Sequence, residues 1–117
     1  MATTVSKENI ASRFAPAKTP IIATWNLTDD ETGDILKAVG FNDKCVHVYG
    51  TLGGATVTIK GGNVSDATKF LTLVDFDGTD LSFVADGINS IRDNVGYLQP
   101  VITGGTDSDI FIVIVME

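Results

Sequence analysis

The chain has 117 residues, a length that suits one domain able to bury a core without disulfides or metals. Its net charge of −7 opposes binding to nucleic acid or to an anionic membrane. Cys45 is the only cysteine, which excludes an intrachain disulfide. No apolar run approaches the roughly 20 residues that span a bilayer, and the polar first ten residues lack the apolar region of a signal peptide. We therefore expect a soluble protein without a secretory leader.

Residues 1–19 differ in composition from the rest, and we predict an extended N-terminal arm followed by a domain over residues 20–117. Serine, threonine, alanine, lysine and asparagine dominate the arm. The stretch Ser6–Phe14 could form one helical turn capped by Ser6. Ile10 and Phe14 have i, i+4 spacing, which favours docking on a neighbouring protein. The alternative is a frayed terminus without a role.

From residue 20 onward, short stretches rich in β-branched and aromatic residues alternate with turns of Gly, Asp and Asn. Turns at a spacing of roughly 8–12 residues are typical of a β-sandwich or barrel. We therefore predict an all-β, single-domain β-sandwich of jelly-roll-like type. The predicted strands are Ile21–Thr28, Ile35–Val39, Lys44–Leu52, Ala55–Lys60, Lys69–Val74, Leu81–Ala85, Gly87–Ile91, Val95–Thr103 and Ile110–Met116. Alternation places Val46 and Val48 on one face of their strand, and Cys45, His47 and Tyr49 on the other.

The last predicted strand, Ile110–Met116, is apolar at every position. A two-layer sandwich buries one face of each sheet, so an apolar face remains to be covered. Association with further copies of the chain is the simplest cover, and the arm or a long loop of the same chain is the alternative. The predicted oligomer interface comprises Leu52, Gly53, Gly54, Ile110, Ile112 and Ile114.

The stretch "GTLGGATVTIKGGN" (Gly50–Asn63) has the composition of a phosphate-binding loop but not its spacing. Its lysine precedes the last glycine pair, no helix is predicted to follow, and the Rossmann spacing is missed. Two adjacent glycines between two alternating strands instead favour a two-residue β-hairpin of type I′ or II′ at Gly53-Gly54.

No catalytic, metal-ligating or cofactor-binding residues are predicted, and we expect the chain not to be an enzyme. His47 is the only histidine, and Cys45, two residues away, offers at most one further metal ligand. The stretch Asp75–Asp86 lacks the glycine and glutamate positions of an EF-hand, and its Asp-Gly pair suits a turn without an ion. Trp25, Tyr49 and Tyr97 fit either core aromatics, which we favour, or a sugar-stacking platform.

Three blocks of the chain, Gly50–Gly61, Thr72–Phe83 and Tyr97–Gly105, follow recognisable patterns. The patterns are G-T-[aromatic]-G-G-A-T-V-T-L-x-G-S, T-L-x-D-x-x-G-x-x-L-x-F and Y-[IL]-[RQ]-P-x-[IV]-[TS]-G-G. On these blocks, residues 45–116 resemble a family of small tailed-phage virion proteins. Members of this family are similar to capsid decoration (cement) proteins or other accessory head proteins. Leu52 departs from the pattern, since an aromatic residue usually follows Gly-Thr.

The resemblance implies a decoration protein that binds the outer surface of the phage head and stabilises contacts between major capsid subunits. The implied partners are the major capsid protein and further copies of the chain, as a homotrimer. The protein would be made in the host bacterial cytoplasm and would lie on the virion surface. The expected capsid contacts of the arm are Ile10, Arg13 and Phe14.

The alternative function is a host-receptor or glycan-binding module of a phage tail or fibre. It predicts an exposed aromatic cluster drawn from Trp25, Tyr49, Phe76 and Tyr97. An enzyme such as a cupin-like metal protein is disfavoured, because one histidine cannot supply the usual ligands.

Overall fold

A computed structural model shows two antiparallel β-sheets that pack face to face, which confirms the predicted all-β sandwich. The structure describes the backbone of residues 4–9 and all of residues 20–117. The strands are β1 (Thr4–Asn9), β2 (Ile21–Leu27), β3 (Leu36–Lys37), β4 (Lys44–Thr51), β5 (Thr56–Gly62), β6 (Leu71–Thr72), β7 (Ser82–Phe83), β8 (Gly87–Ser90), β9 (Tyr97–Thr103) and β10 (Asp109–Met116).

The strand order is that of a jelly roll. Sheet I has the order β1-β2-β10-β4-β8, and sheet II has the order β3-β9-β5-β6, with β7 also paired to β5. Early strands therefore pair with late ones: β2 with β10, β3 with β9, β4 with β8, and β5 with β6 and β7. This nested pairing of an antiparallel chain, divided between two sheets, defines the double Greek key of a jelly roll.

The core lies between the sheets and is filled by alternate side chains of both. Trp25 of β2 and Ile112 of β10 are fully buried, as are Ile59 of β5 and Leu98 of β9 on the opposite side. The indole N–H of Trp25 donates to the carbonyl oxygen of Asp34 at 3.1 Å, so its polar atom is satisfied inside the core. Trp25 is thus a core aromatic, as the sequence favours.

The helical turn predicted within the arm is wrong where it can be compared with the structure. Ser6–Asn9 belong to β1, which pairs with β2 in a register that opposes Asn9 to Ile21. The free backbone groups along the edge of β2 offer these residues a ladder of hydrogen bonds, which a single capped turn does not match. Ile10, Arg13 and Phe14 lie outside the described residues, and so their predicted capsid contacts stay a prediction.

The predicted strand Lys69–Val74 begins later in the structure because a capped turn takes its first residue. The backbone N–H of Thr68 donates to the Asp66 carboxylate at 3.0 Å, which begins a 3₁₀ turn over Ala67–Lys69. Only Leu71–Thr72 then pair with β5.

The Gly53-Gly54 turn has the predicted backbone conformation but a different place in the fold. Both glycines have positive φ, +59° and +84°, and Ala55 N–H donates to the carbonyl of Leu52 at 2.9 Å. The flanking strands do not form a hairpin, however. The two edges of β4 are already paired with β10 and β8, so the chain crosses at this turn from sheet I to β5 of sheet II.

Candidate interaction surface

The side chains of β2, β10, β4 and β8 that point away from the core form one continuous surface, which we call the outer face. The strand register arranges the outward residues of β2, β10, β4 and β8 in three central rows. Asp109 and Thr51 are paired beyond the first row, and the edge strand β1 sets Glu8 opposite Ile22 of the third row. The first row is Asn26, Phe111 and Tyr49; the second is Thr24, Val113, His47 and Ile88; the third is Ile22, Val115, Cys45 and Ser90. Cys45, His47 and Tyr49 therefore share a face, as predicted.

The six residues predicted for the oligomer interface divide between the core and the surface. Ile110, Ile112 and Ile114 are fully buried between the sheets, and Leu52 is 7% exposed, so this chain already covers their side chains. Gly53 and Gly54 are exposed at the turn between the sheets.

The outward residues of β10 are Asp109 at its start and then the apolar Phe111, Val113 and Val115. Phe111 and Val113 are half-buried, and Val115 is 40% exposed. Contact between subunits through β10 stays a prediction. If it occurs on the outer face, it is made by Phe111, Val113 and Val115. Sequence alternation shows two faces for this strand but, since both are apolar, does not tell which one faces outward.

Three aromatic rings contact one another at one end of the outer face. The rings of Tyr49 and Phe111 stack at a centroid distance of 5.2 Å and an angle of 13°, and the ring of His47 lies 5.0 Å from that of Tyr49. The register sets Phe111 directly opposite Tyr49 on neighbouring strands, whereas His47 and Tyr49 are i, i+2 neighbours on the same face of β4. Within residues 20–117, no group of three His, Cys, Asp or Glu side chains could hold a metal ion.

Several large apolar side chains on or beside the outer face are exposed to solvent. Ile88 is 64% exposed on the edge strand β8, and Phe76 is 69% exposed in the loop after β6. Phe76 lines a shallow groove of about 180 Å³ together with Cys45, Ser90 and Val115 of the third row. Phe76 therefore extends the apolar surface beyond the strands as far as the charged residues that also line the groove, Asp43, Lys44 and Glu117. Exposed apolar patches of this kind are typical of surfaces that contact another protein.

The acidic residues of the described loops hold backbone in place. The Asp29 carboxylate accepts hydrogen bonds from the backbone N–H groups of Asp107 (3.1 Å) and Ser108 (3.0 Å) and from the Ser108 hydroxyl. The Asp75 carboxylate likewise accepts from the N–H groups of Asp77 and Thr79 and closes the turn between them. Asp29 thus connects two loops that are distant in the sequence, and Asp75 stabilises the turn that follows it.

The pKa of Asp29 is lowered from its ordinary value of 3.8, first by the Ser108 hydroxyl and then by the Ser108 backbone N–H. The charged form is therefore favoured by folding, so Asp29 contributes stability above pH 3.8 that is lost as the pH falls through its lowered folded-state pKa.

We expect Asp29→Asn to flatten the acid limb of stability against pH, because the amide has no charge to lose. Urea unfolding midpoints between pH 2 and 6 measure this effect, and Asp86→Asn, in the exposed turn before β8, is the matched control. An acid limb that is equally steep in the Asp29 variant and the wild type would contradict the role given to this carboxylate.

The fold and the outer face define a jelly-roll β-sandwich with an apolar, aromatic surface on one sheet. The crystal structure of the SPBc2 prophage-derived protein YomS is similar to this chain, with a TM-score of 0.65 and 9% sequence identity. The match covers 100% of this chain and 96% of that protein, and at this identity it establishes a shared fold alone. No family model and no curated protein sequence matches the chain. None of residues 20–117 lies in a helix long and apolar enough to cross a membrane.

Proposed function

We propose that the chain is a phage capsid decoration protein that binds the outer surface of the head and stabilises contacts between major capsid subunits. The observation that carries this proposal is the jelly-roll fold shared over the whole chain with a prophage-derived protein. The resemblance of residues 45–116 to tailed-phage virion proteins supports it independently. The role is structural, the site of action is the virion surface, and the protein acts as a homo-oligomer.

The three blocks that carry the family resemblance have a common structural purpose. Gly50–Gly61 contains the crossing from β4 to β5, Thr72–Phe83 extends from β6 to β7, and Tyr97–Gly105 contains β9 and the turn after it. Together they build most of sheet II. A Cβ added at Gly61 would overlap the backbone carbonyl of Tyr97, so close strand packing requires glycine there. The resemblance is therefore one of framework, and it supports a shared fold more strongly than a shared contact surface.

A cement protein works by bridging shell subunits against the pressure of packaged DNA. A two-sheet body with a fully buried core is rigid enough for this purpose. Its acidic charge keeps the body in solution and away from nucleic acid. An arm that reaches an adjacent subunit would extend the contact beyond the body.

The arm is tested by the triple variant Ile10→Ala, Arg13→Ala, Phe14→Ala, which keeps β1 in the chain. We expect binding to phage heads to weaken tenfold or more, since truncating several anchor side chains removes about 2 kcal/mol or more. The measurement is co-sedimentation of purified protein with heads from a strain lacking its gene. A deletion of residues 2–15 is less specific, because it removes β1 and exposes the edge of β2.

The matched control is the triple variant Lys37→Ala, Val39→Ala, Val64→Ala, which removes one basic and two apolar side chains from exposed positions of the body. Equal binding by the arm variant and the wild type would contradict the role of the arm. Failure of the wild type itself to sediment with heads would contradict the decoration function.

The stacked pair of Tyr49 and Phe111 favours one rival function, a glycan-binding module of a tail or fibre. The four rings that this function predicts on one surface are dispersed, however. Trp25 is in the core, Tyr97 belongs to sheet II, and Phe76 is in a loop. Binding to a glycan array that is lost in Tyr49→Ala would support the rival, whereas a silent array would remove it.

A further inference from the structure

We propose that a second copy of the chain packs on the outer face of sheet I. This inference concerns the isolated protein and does not depend on binding to a capsid. It starts from the three central rows of the outer face, which contain no lysine, arginine, aspartate or glutamate. The carboxylate residues nearest to them in the sheet register are Asp109, at one end, and Glu8 of the edge strand β1. In a chain with 20% charged residues, an uncharged surface across four strands is unusual.

Charged residues instead border the outer face at its two ends. Asp109 precedes the first row, where its carboxylate accepts a hydrogen bond from the Asn26 amide at 2.8 Å. Asp43 and Glu117 lie at the other end and line the groove beside the third row. An apolar centre with a polar and charged border is the usual anatomy of a protein–protein interface.

The charge of the chain favours another copy of itself as the occupant. Two copies that each carry a net charge of −7 repel one another, so they can approach closely only through surfaces without carboxylates. The three central rows are such a surface, and a copy that packs on them leaves Asp109 and Glu8 of β1 at the border of the contact. A strongly basic partner would instead select an acidic surface, which the ends of the face provide but its centre does not.

The dimensions of the outer face agree with this occupant. Strands lie about 4.8 Å apart and rise about 3.4 Å per residue, so seven residues on each of three strands and the four residues of β8 give a plane on the order of 400 Å² per copy. Two such planes total about 800 Å², and the exposed surface around Phe76 extends this toward the total of about 1,000 Å² that a specific interface needs. Tyr49 and Phe111, stacked and half-exposed, are the rigid aromatic anchors of the kind that dominate interface energies.

The test is the molar mass of the purified protein, measured by light scattering or sedimentation across a range of concentrations. We expect the wild type to exceed its chain mass of 12.4 kDa at least twofold, and Val113→Asp, at the centre of the face, to be monomeric. Thr58→Asp is the matched control, because it puts the same charge on a central strand of sheet II and should associate as the wild type does.

Val113→Asp could be monomeric only because it fails to fold, so Ile88→Asp is a second test of the same face. Ile88 is 64% exposed on an edge strand, and its replacement leaves the core intact. A folded, monomeric Ile88 variant supports the proposal. A wild type that is monomeric up to several hundred micromolar overturns it, as does a Val113 variant that keeps the wild-type mass. A monomer that binds phage heads only when Val113 is intact would assign the outer face to the capsid and also overturn it.

Discussion

Substituting Gly53 with alanine is expected to lower the free energy of unfolding by about 2–4 kcal/mol, more than the same substitution at the adjacent Gly54. Its φ of +59° costs an alanine about 1 kcal/mol or more, and the added Cβ would overlap the backbone carbonyl oxygen of Thr106. That carbonyl cannot move freely, because the N–H of Thr106 donates to the Gly53 carbonyl at 3.0 Å.

The adjacent Gly54 is the matched control for this substitution. It also has a positive φ, +84°, but a Cβ there would meet no heavy atom within 4 Å. We expect Gly54→Ala to cost only about 1 kcal/mol, from backbone strain alone. Urea unfolding of both variants measures the difference. Equal losses of stability at the two positions would show that Gly53 does not contact the Thr106 loop as the structure describes.

Substituting Ile112 with alanine is expected to cost about 3 kcal/mol, because its side chain is fully buried in the central strand of sheet I. The neighbouring Val113→Ala removes a half-buried side chain from the opposite face of the same strand and should cost about 1 kcal/mol or less. The two variants therefore determine which face of β10 is the core.

Both variants are compared by urea unfolding at low micromolar protein, so that association contributes little to the stability. The reverse order of effects, with Val113→Ala the more damaging substitution, would contradict the direction of β10. Such a result would support the sequence-based prediction that Ile112 lies in a subunit interface.

Alternation and turn chemistry were enough to predict most of the fold. Val46 and Val48 alternate with Cys45, His47 and Tyr49 in the sequence, and the structure buries the two valines fully. Such a pattern is read within one strand, where side chains alternate with period two.

Features that depend on distant partners were not predictable in the same way. The positive φ values of Gly53 and Gly54 follow from residue type, but whether β4 and β5 pair depends on β10 and β8, which arrive later in the chain. The strand conformation of Ser6–Asn9 is likewise created by the edge of β2. Local propensity is weak compared with such tertiary pairing.

The candidate surface shows the same limit. An apolar run at Ile110–Met116 indicates two covered faces, but the residue rows across β2, β10, β4 and β8 exist only once the register is known. The absence of charge from the three central rows is therefore visible only in the assembled sheet. No single strand displays it clearly, since β4 also contains Lys44, whose ammonium group turns inward to the Phe41 carbonyl at 2.8 Å.

The decoration function is tested most directly by imaging phage particles from a strain that carries the gene and from a matched deletion strain. If the chain is a decoration protein, the difference map contains density for a jelly-roll body at repeated positions on the outer surface of the head, and this density returns on adding purified protein. Heads that are identical in the two strains, or difference density confined to the tail, would contradict the proposed function.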